Sequence, residues 1–376
     1  MDIKDILSMF QAPLNLTWQN MVMIGIGGLL IYLAVVKDYE PVLLLPIGFG
    51  AILANLPLTG IADEGGHGLL AVLFDAGIRN ELFPLLIFIG IGAMTDFGPL
   101  LENPKMALLG AAGQIGIFGI LMLALELGFD LNEAASIGII GAIDGPTAIY
   151  VSSQLAPHLL GPIAVAAYSY MSLVPIIQPP VMRFLTTEKE RRVRMPYSQK
   201  DISKSVRVVF PIAVTIIISL LSPQASPLIA TLMFGNLMRE SGVVDRLAQS
   251  AQNEIANVTT VFLGLAIGGT MSGDSFIRKE SILILLMGLL AFVIDTAGGI
   301  LLGKMFYLLS GGKFNPLIGA AGISAFPMSA RIVQRIGQEY DFENFLLMHA
   351  MGANTAGQLG SVVAGGVVLT LLSGVV

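Results

Sequence analysis

Apolar runs long enough to enter or cross a bilayer recur along almost the whole of this chain, and no other feature restricts its fold as strongly. They cover 21–36, 41–56, 82–94, 106–127, 134–155, 160–182, 206–221, 225–238, 255–271, 281–309, 315–333 and 344–375. A hydrocarbon core about 30 Å thick takes about 20 apolar residues per helical span. Several of these runs are shorter than that, or broken. The expected fold is all-α and polytopic, with about ten or eleven membrane segments. Charge agrees with this: 12% of the 376 residues are charged, against about 25% in soluble domains. Mean hydropathy is +0.80. A soluble core of this size would need polar faces on its outer helices, and these segments have almost none.

The start, Met1-Asp2-Ile3-Lys4-Asp5-Ile6, is acidic and amphipathic, so no cleavable signal peptide is expected. Cysteine is absent, which excludes disulfides, thiolate nucleophiles and cysteine metal sites. Arg183, Lys189, Arg191, Arg192, Arg194, Lys200, Lys204 and Arg207 gather eight of the 20 basic residues into one stretch. Beside two membrane spans, this loop (184–205) is expected to face the cytoplasm and to meet lipid headgroups or a partner subunit rather than nucleic acid.

The basic loop separates two halves, 20–183 and 206–376, that echo each other within one membrane domain, 1–376. Gly138-Ile139-Ile140-Gly141-Ala142-Ile143-Asp144-Gly145-Pro146 and Gly319-Ala320-Ala321-Gly322-Ile323-Ser324-Ala325-Phe326-Pro327 place glycines and a proline at the same spacing. Polar interruptions follow at Ala166-Ala167-Tyr168-Ser169-Tyr170 and at Ala350-Met351-Gly352-Ala353-Asn354. Broken helices are therefore expected at Asp144, Ser324 and Asn354. Such breaks, in corresponding places of two halves, point to a transporter's midplane site. Whether the halves are inverted depends on the span count.

Asp144 is the strongest chemical signal. It lies in an apolar stretch, within Asp144-Gly145-Pro146-Thr147. A carboxylate at membrane depth costs a few kcal/mol or more and marks a functional site by default. Pro146 removes a helix donor and Gly145 loosens the turn, exposing carbonyls beside the carboxylate and the Thr147 hydroxyl. Hard oxygens of this kind suit a small hard cation. The alternative is a protonated Asp144 bonded to a neighbouring helix. The other buried polar candidates are neutral: Asn315, Ser324, Asn354, Thr355, Ser361, Tyr168 and Tyr170. One carboxylate with neutral ligands fits a monovalent ion better than a divalent one, although such residues also glue helices together. Arg331 could hold an anion or snorkel to the interface beside Arg335. Asp295, Asp274 and Asp96 are weaker candidates, read as structural. No phosphate loop, nucleophile elbow or histidine cluster occurs, so a free-standing ATPase, protease or redox enzyme is not expected.

Gly141-Ala142-Ile143-Asp144-Gly145-Pro146-Thr147-Ala148-Ile149-Tyr150 resembles the signature of the β subunits of sodium-pumping, biotin-dependent decarboxylases: the oxaloacetate, methylmalonyl-CoA and glutaconyl-CoA decarboxylases. Gly92 to Pro104, Asn315 to Arg331, and Met348 to Asn354 are similar to that family as well. The resemblance runs from about residue 20 onward. It implies that Asp144 binds sodium, that Asn315 and Asn354 lie near the ion, and that Gly319 lets the backbone approach. It gives Tyr170 and Ser324 a further ion or proton position, and Arg331 a functional role in binding carboxybiotin. Catalysis would rest on Asp144, Tyr170 and Arg331. It further implies an elevator-like fold with scaffold and core, Na+ as the cargo, and biotin carried by a partner. The implied partners are a biotin-carrier and carboxyltransferase subunit, a small single-span γ or δ subunit and further copies of this chain, in a prokaryotic inner membrane. The absence of extra sequence near the start leans toward an acyl-CoA substrate. A stand-alone sodium- or proton-coupled transporter of a small carboxylate is the alternative from the residues alone, with an inert membrane anchor behind it.

Overall fold

The computed structural model describes residues 14–62, 67–196 and 201–372. The acidic start at Met1–Ile6 and Lys200 of the basic loop lie outside the described residues. The described chain is helical, without a strand. Its main helices are α1 (Trp18–Lys37), α2 (Pro41–Ala54), α3 (Leu69–Gly77), α4 (Leu82–Met94), α5 (Gly98–Glu102), α6 (Met106–Ala112), α7 (Ile115–Glu126) and α8 (Leu131–Gly138). There follow α9 (Gly145–Leu155), α10 (Leu160–Leu185), α11 (Lys204–Leu221), α12 (Ser226–Ser241), α13 (Ala256–Gly269), α14 (Lys279–Leu309), α15 (Met328–Tyr340) and α16 (Leu347–Leu372).

Among the described residues, six stretches are long and apolar enough to span a bilayer: Trp18–Lys37, Met106–Glu126, Pro157–Leu185, Lys204–Leu221, Lys279–Leu309 and Leu347–Leu372. Pro41–Ala54 and Leu82–Met94 are apolar but shorter, at 14 and 13 residues. The boundaries follow local chemistry. Thr17 and Asn20 form a capping box at the start of α1, Asp130 and Glu133 form one before α8, and Ser203 caps α11. α10 runs unbroken through Pro175, Pro179 and Pro180. Between its prolines, the Gln178 side chain ties it to the second half, donating to the Ala320 carbonyl (2.7 Å) and to Ser329 Oγ (3.0 Å).

The core has two main bodies. The larger runs from Phe88 and Leu109 through Ile137 and Phe292 to Ile318 and Val368. The smaller gathers Met23, Ile47, Phe83, Leu263 and Ile267, and meets α9 and α10 at Ile149, Leu160 and Tyr168. The end of the basic loop is clamped to the junction of α15 and α16. Arg194 grips Asp341 (2.5 and 2.8 Å) and Glu343 (2.7 Å), and the Arg191 guanidinium stacks over the Tyr340 ring. The Arg194 guanidinium holds the Asp341 carboxyl below its ordinary range.

Two expected breaks occur and one does not. The 3-10 turn Ile139–Ala142 is followed by left-handed Ile143 (φ 52°) and extended Asp144, and the helix resumes at Gly145. The 3-10 turn Pro316–Gly322 likewise gives way to extended Ile323 and a bend at Ser324 before α15. The break expected at Asn354 is a correction: α16 is continuous from Leu347 to Leu372, as α10 is through Tyr168 and Tyr170. Pro146 and Pro327 lack the amide a continuing helix needs, whereas each residue at the other two positions retains one.

Candidate functional site: the Asp144 cavity

Asp144 is fixed by the way its own helix begins. The chain leaves the 3-10 turn at Ile143, Asp144 is extended, and α9 starts with Gly145 and Pro146. Gly145 is required: a Cβ there would lie 2.4 Å from the Tyr168 ring. The Asp144 side chain thus points across to α16. Its Oδ2 accepts from Thr147 Oγ1 (2.8 Å), Gln358 Nε2 (2.9 Å) and Ser361 Oγ (2.7 Å). Asp144 is 2% exposed. Gln358 lies close to the middle of α16, about 16 Å beyond Leu347 at 1.5 Å per residue. The carboxylate therefore sits near the centre of a membrane-spanning helix.

α16 also holds the second break. Asn354 Nδ2 donates to the Ile323 carbonyl (2.7 Å), and Ser324 Oγ donates to the Gly357 carbonyl (2.9 Å). Asn354, Gly357, Gln358 and Ser361 follow one another at helical spacing along one face. That face stitches the Asp144 break to the Ser324 break. The Oδ1 atom of Asn354 and the Tyr168 hydroxyl are buried without a hydrogen-bond partner. Both are oxygens with a spare lone pair in this interior.

A cavity of about 470 Å³ reaches Asp144. Asp144, Pro146 and Gln358 line its deep end, while Leu347, Met348 and Arg331 lie at the end carrying the basic-loop clamp. Ser324 and Asp96 also line it. Asp96 caps the turn at Gly98 N (2.8 Å) and lies 3.5 Å from Arg239. Arg331 is exposed, and no ion pair engages it among the described residues. The cavity thus joins a buried carboxylate to an open guanidinium, a polarity suited to a small cation below and an anion above. No cluster of three acidic or histidine side chains able to hold a metal occurs among the described residues.

The expected site residues separate into two groups. Asp144, Ser324, Asn354 and Arg331 belong to this cavity or to the helix face behind it. Asn315, Gly319 and Tyr170 do not. Asn315 is buried against the basic loop, giving its amide hydrogens to the carbonyls of Arg191 (3.0 Å) and Val193 (2.8 Å) and accepting from Leu317 N (3.0 Å). Gly319 allows close packing on α14, because a Cβ there would lie 1.9 Å from the Gly299 carbonyl oxygen. The Tyr170 hydroxyl donates to the Leu285 carbonyl of α14, and Tyr168 takes the place beside the Asp144 break. Gln358 is the residue that sequence reasoning missed. Its signal was spacing: it stands four residues after Asn354 and three before Ser361.

The family described as "Na+-transporting oxaloacetate decarboxylase beta subunit" matches residues 19–372. The methylmalonyl-CoA decarboxylase subunit beta of Veillonella parvula is 55% identical over 360 residues, covering 96% of this chain and 95% of that protein. The glutaconyl-CoA decarboxylase subunit beta of Acidaminococcus fermentans is 54% identical over 358 residues, covering 95% and 94%. The probable oxaloacetate decarboxylase beta chain of Vibrio cholerae is 44% identical over 434 residues, covering 99% and 100%. With the match spanning nearly every described residue, this chain belongs to the family of β subunits of Na+-transporting decarboxylases.

Proposed function

We propose that this chain binds sodium at Asp144 and couples its export to the decarboxylation of carboxybiotin presented by a partner subunit. The observation that carries this reading is the single cavity shared by the buried Asp144 carboxylate and the exposed Arg331. Thr147 and Ser361 can turn their hydroxyls from donating to the carboxylate to ligating an ion beside it. A sodium ion would then replace donors already aimed at Asp144, at little cost in reorganisation. Ser324 and Asn354, on the adjoining break and helix face, supply further oxygens.

The fit to a carboxylated biotin ring rests on two features. The cavity volume of about 470 Å³ falls within the roughly 300–1,000 Å³ of small-molecule sites. Arg331 presents a cationic fork at its open end, able to meet a carboxylate. Carboxybiotin supplies a labile N–CO2 bond, which releases CO2 when the ring nitrogen takes up a proton. This chain's part is to seat that anion at Arg331, to exclude bulk water with Phe326, Pro327 and Met351, and to hold cation charge at Asp144. A carboxylate cannot hold a sodium ion and a proton fully at once, which links sodium release to proton uptake.

In this reading the basic-loop end is cytoplasmic, and the membrane is a prokaryotic inner membrane. The partners are the biotin-carrier and carboxyltransferase subunit, a single-span γ or δ subunit, and further copies of this chain. The smaller core body around Met23 and Leu263 serves as scaffold and the larger one as moving core. Six long apolar helices with the shorter Pro41–Ala54 and Leu82–Met94 give eight, and in this reading the broken segments at Asp144 and Ser324 belong to those that bring the count to ten or eleven. Identities of 55% and 54% to the two acyl-CoA decarboxylase subunits, against 44% to the Vibrio cholerae oxaloacetate protein, favour an acyl-CoA substrate for the complex.

The decisive experiment is sodium-dependent thermal stabilisation of the purified chain, set against Asp144→Asn. A ligand that binds the folded state alone raises stability with the logarithm of its concentration. The expected result is a shift with sodium, none with potassium, and loss of the sodium shift in the variant. Equal sodium shifts in both proteins would overturn the assignment.

A further inference from the structure

Among the described residues, Asp295 is the other acidic side chain buried at membrane depth. It lies about 24 Å into α14, a helix about 46 Å long, and is 0% exposed. Its Oδ1 accepts from the backbone N–H of Gly116 in the first turn of α7, and its Oδ2 has no hydrogen-bond partner. Glycine backbone surrounds it. A Cβ at Gly116 would lie 2.5 Å from Oδ2, and one at Gly141 would lie 2.9 Å from the same oxygen.

Gly141 belongs to the 3-10 turn that ends two residues before Asp144. That turn rests on α7 as well: a Cβ at Gly141 would lie 2.9 Å from Ile117 N, and one at Gly138 2.6 Å from the Ile117 carbonyl oxygen. Asp295, Gly116 and Gly141 thus form one close contact, linking α14, the start of α7 and the turn that delivers Asp144. Nothing in that packing allows one member to shift alone.

We propose that Asp295 is a positioning residue for the Asp144 sodium site, acting through Gly141, and is not itself an ion ligand. This rests on the reading of Asp144 as the sodium ligand. Asp295 is not among the residues lining the cavity. Its free oxygen lies against Gly116 and Gly141, where even a Cβ would not fit, whereas a hard cation requires several oxygen ligands. What the contact uses is an acceptor for Gly116 N–H in a side chain of this volume. An asparagine amide oxygen supplies both without charge.

The test compares wild type, Asp295→Asn and Asp295→Ala, each as the full chain with its partner subunits, titrated with sodium chloride against potassium chloride. Sodium half-saturation of decarboxylation and sodium-dependent thermal stabilisation are read together. Asp295→Asn is expected to keep half-saturation within about twofold of wild type, since its hydrogen bond survives. Asp295→Ala is expected to raise half-saturation about tenfold, with the maximal rate at saturating sodium kept. Wild-type sodium affinity in Asp295→Ala would overturn the proposal. So would a loss in Asp295→Asn as large as in Asp295→Ala, since charge would then be what matters. Should Asp295→Ala not fold, Asp295→Asn decides alone: half-saturation within about twofold of wild type supports the proposal and a rise of about tenfold overturns it. A wild-type protein with no sodium-specific response would instead overturn the Asp144 reading, whatever the Asp295 variants do.

Discussion

Gln358 donates its side-chain amide to Asp144 across 2.9 Å, joining residues 214 positions apart in the chain. Three residues on, Ser361 donates to the same carboxylate oxygen, and one turn earlier Asn354 holds the second break through Ile323. α16 is therefore a continuous rail to which both interrupted segments are fastened. Any movement of the Asp144 break relative to the Ser324 break has to be read against this one helix.

Gln358→Leu keeps the bulk and removes the donor. A hydrogen bond to a charged group contributes about 1.5–3 kcal/mol, equivalent to about a 10- to 100-fold change in affinity. Sodium affinity should fall by up to that factor, and Tm in potassium should fall as well, because the hydrogen bond is made without the ion. Unaltered sodium titration would remove Gln358 from the site.

At the open end of the cavity, Arg331→Lys retains charge but loses the planar fork. The expected outcome is a higher KM for the carboxylated partner in Arg331→Lys, and a larger rise in Arg331→Ala. The sodium-dependent shift in Tm should match wild type in both. If the sodium shift collapsed with Arg331, the two ends of the cavity would not act on separate ligands.

Asn315 gives the opposite pattern. Its carboxamide joins the Pro316–Gly322 turn to the carbonyls of Arg191 and Val193. Asn315→Ala leaves those buried groups short of partners, at a cost of about 1–3 kcal/mol. A lower Tm in potassium with an undiminished sodium increment is expected. A selective loss of the sodium increment would instead place Asn315 at the ion in another conformation.

Acid should loosen the clamp on the basic loop. Arg194 depresses the Asp341 carboxyl, so the pair stabilises the folded state fully above the unfolded carboxylate value of about 3.9. That contribution is lost as pH falls through the lower folded value. Thermal scans should therefore show a shallower acid limb below about pH 4 for Asp341→Asn than for wild type. Parallel limbs would show that the pair contributes nothing to stability.

Two kinds of information separate cleanly here. Charge inside an apolar run is visible without a fold, because burial of a carboxylate is costly wherever the chain goes, and Asp144 stood out on that ground. Pro146 and Pro327 deny a helix its amide and mark both breaks, but proline alone does not decide, since α10 runs on through Pro175, Pro179 and Pro180. At Asn354 no break forms. Glycine costs a helix only about 1 kcal/mol, which the packing around Ala353, Asn354 and Ala356 outweighs, and α16 runs on. Tyr168 and Tyr170 lie on one helix two residues apart, yet only the first faces Gly145, because their directions differ by about 200° around the axis. The sequence by itself determined the membrane class, the buried carboxylate and the breaks at Asp144 and Ser324. Which distant amides and hydroxyls meet that carboxylate was decided by tertiary structure alone, because contacts across more than two hundred residues depend on how helices cross and leave no local periodicity to read.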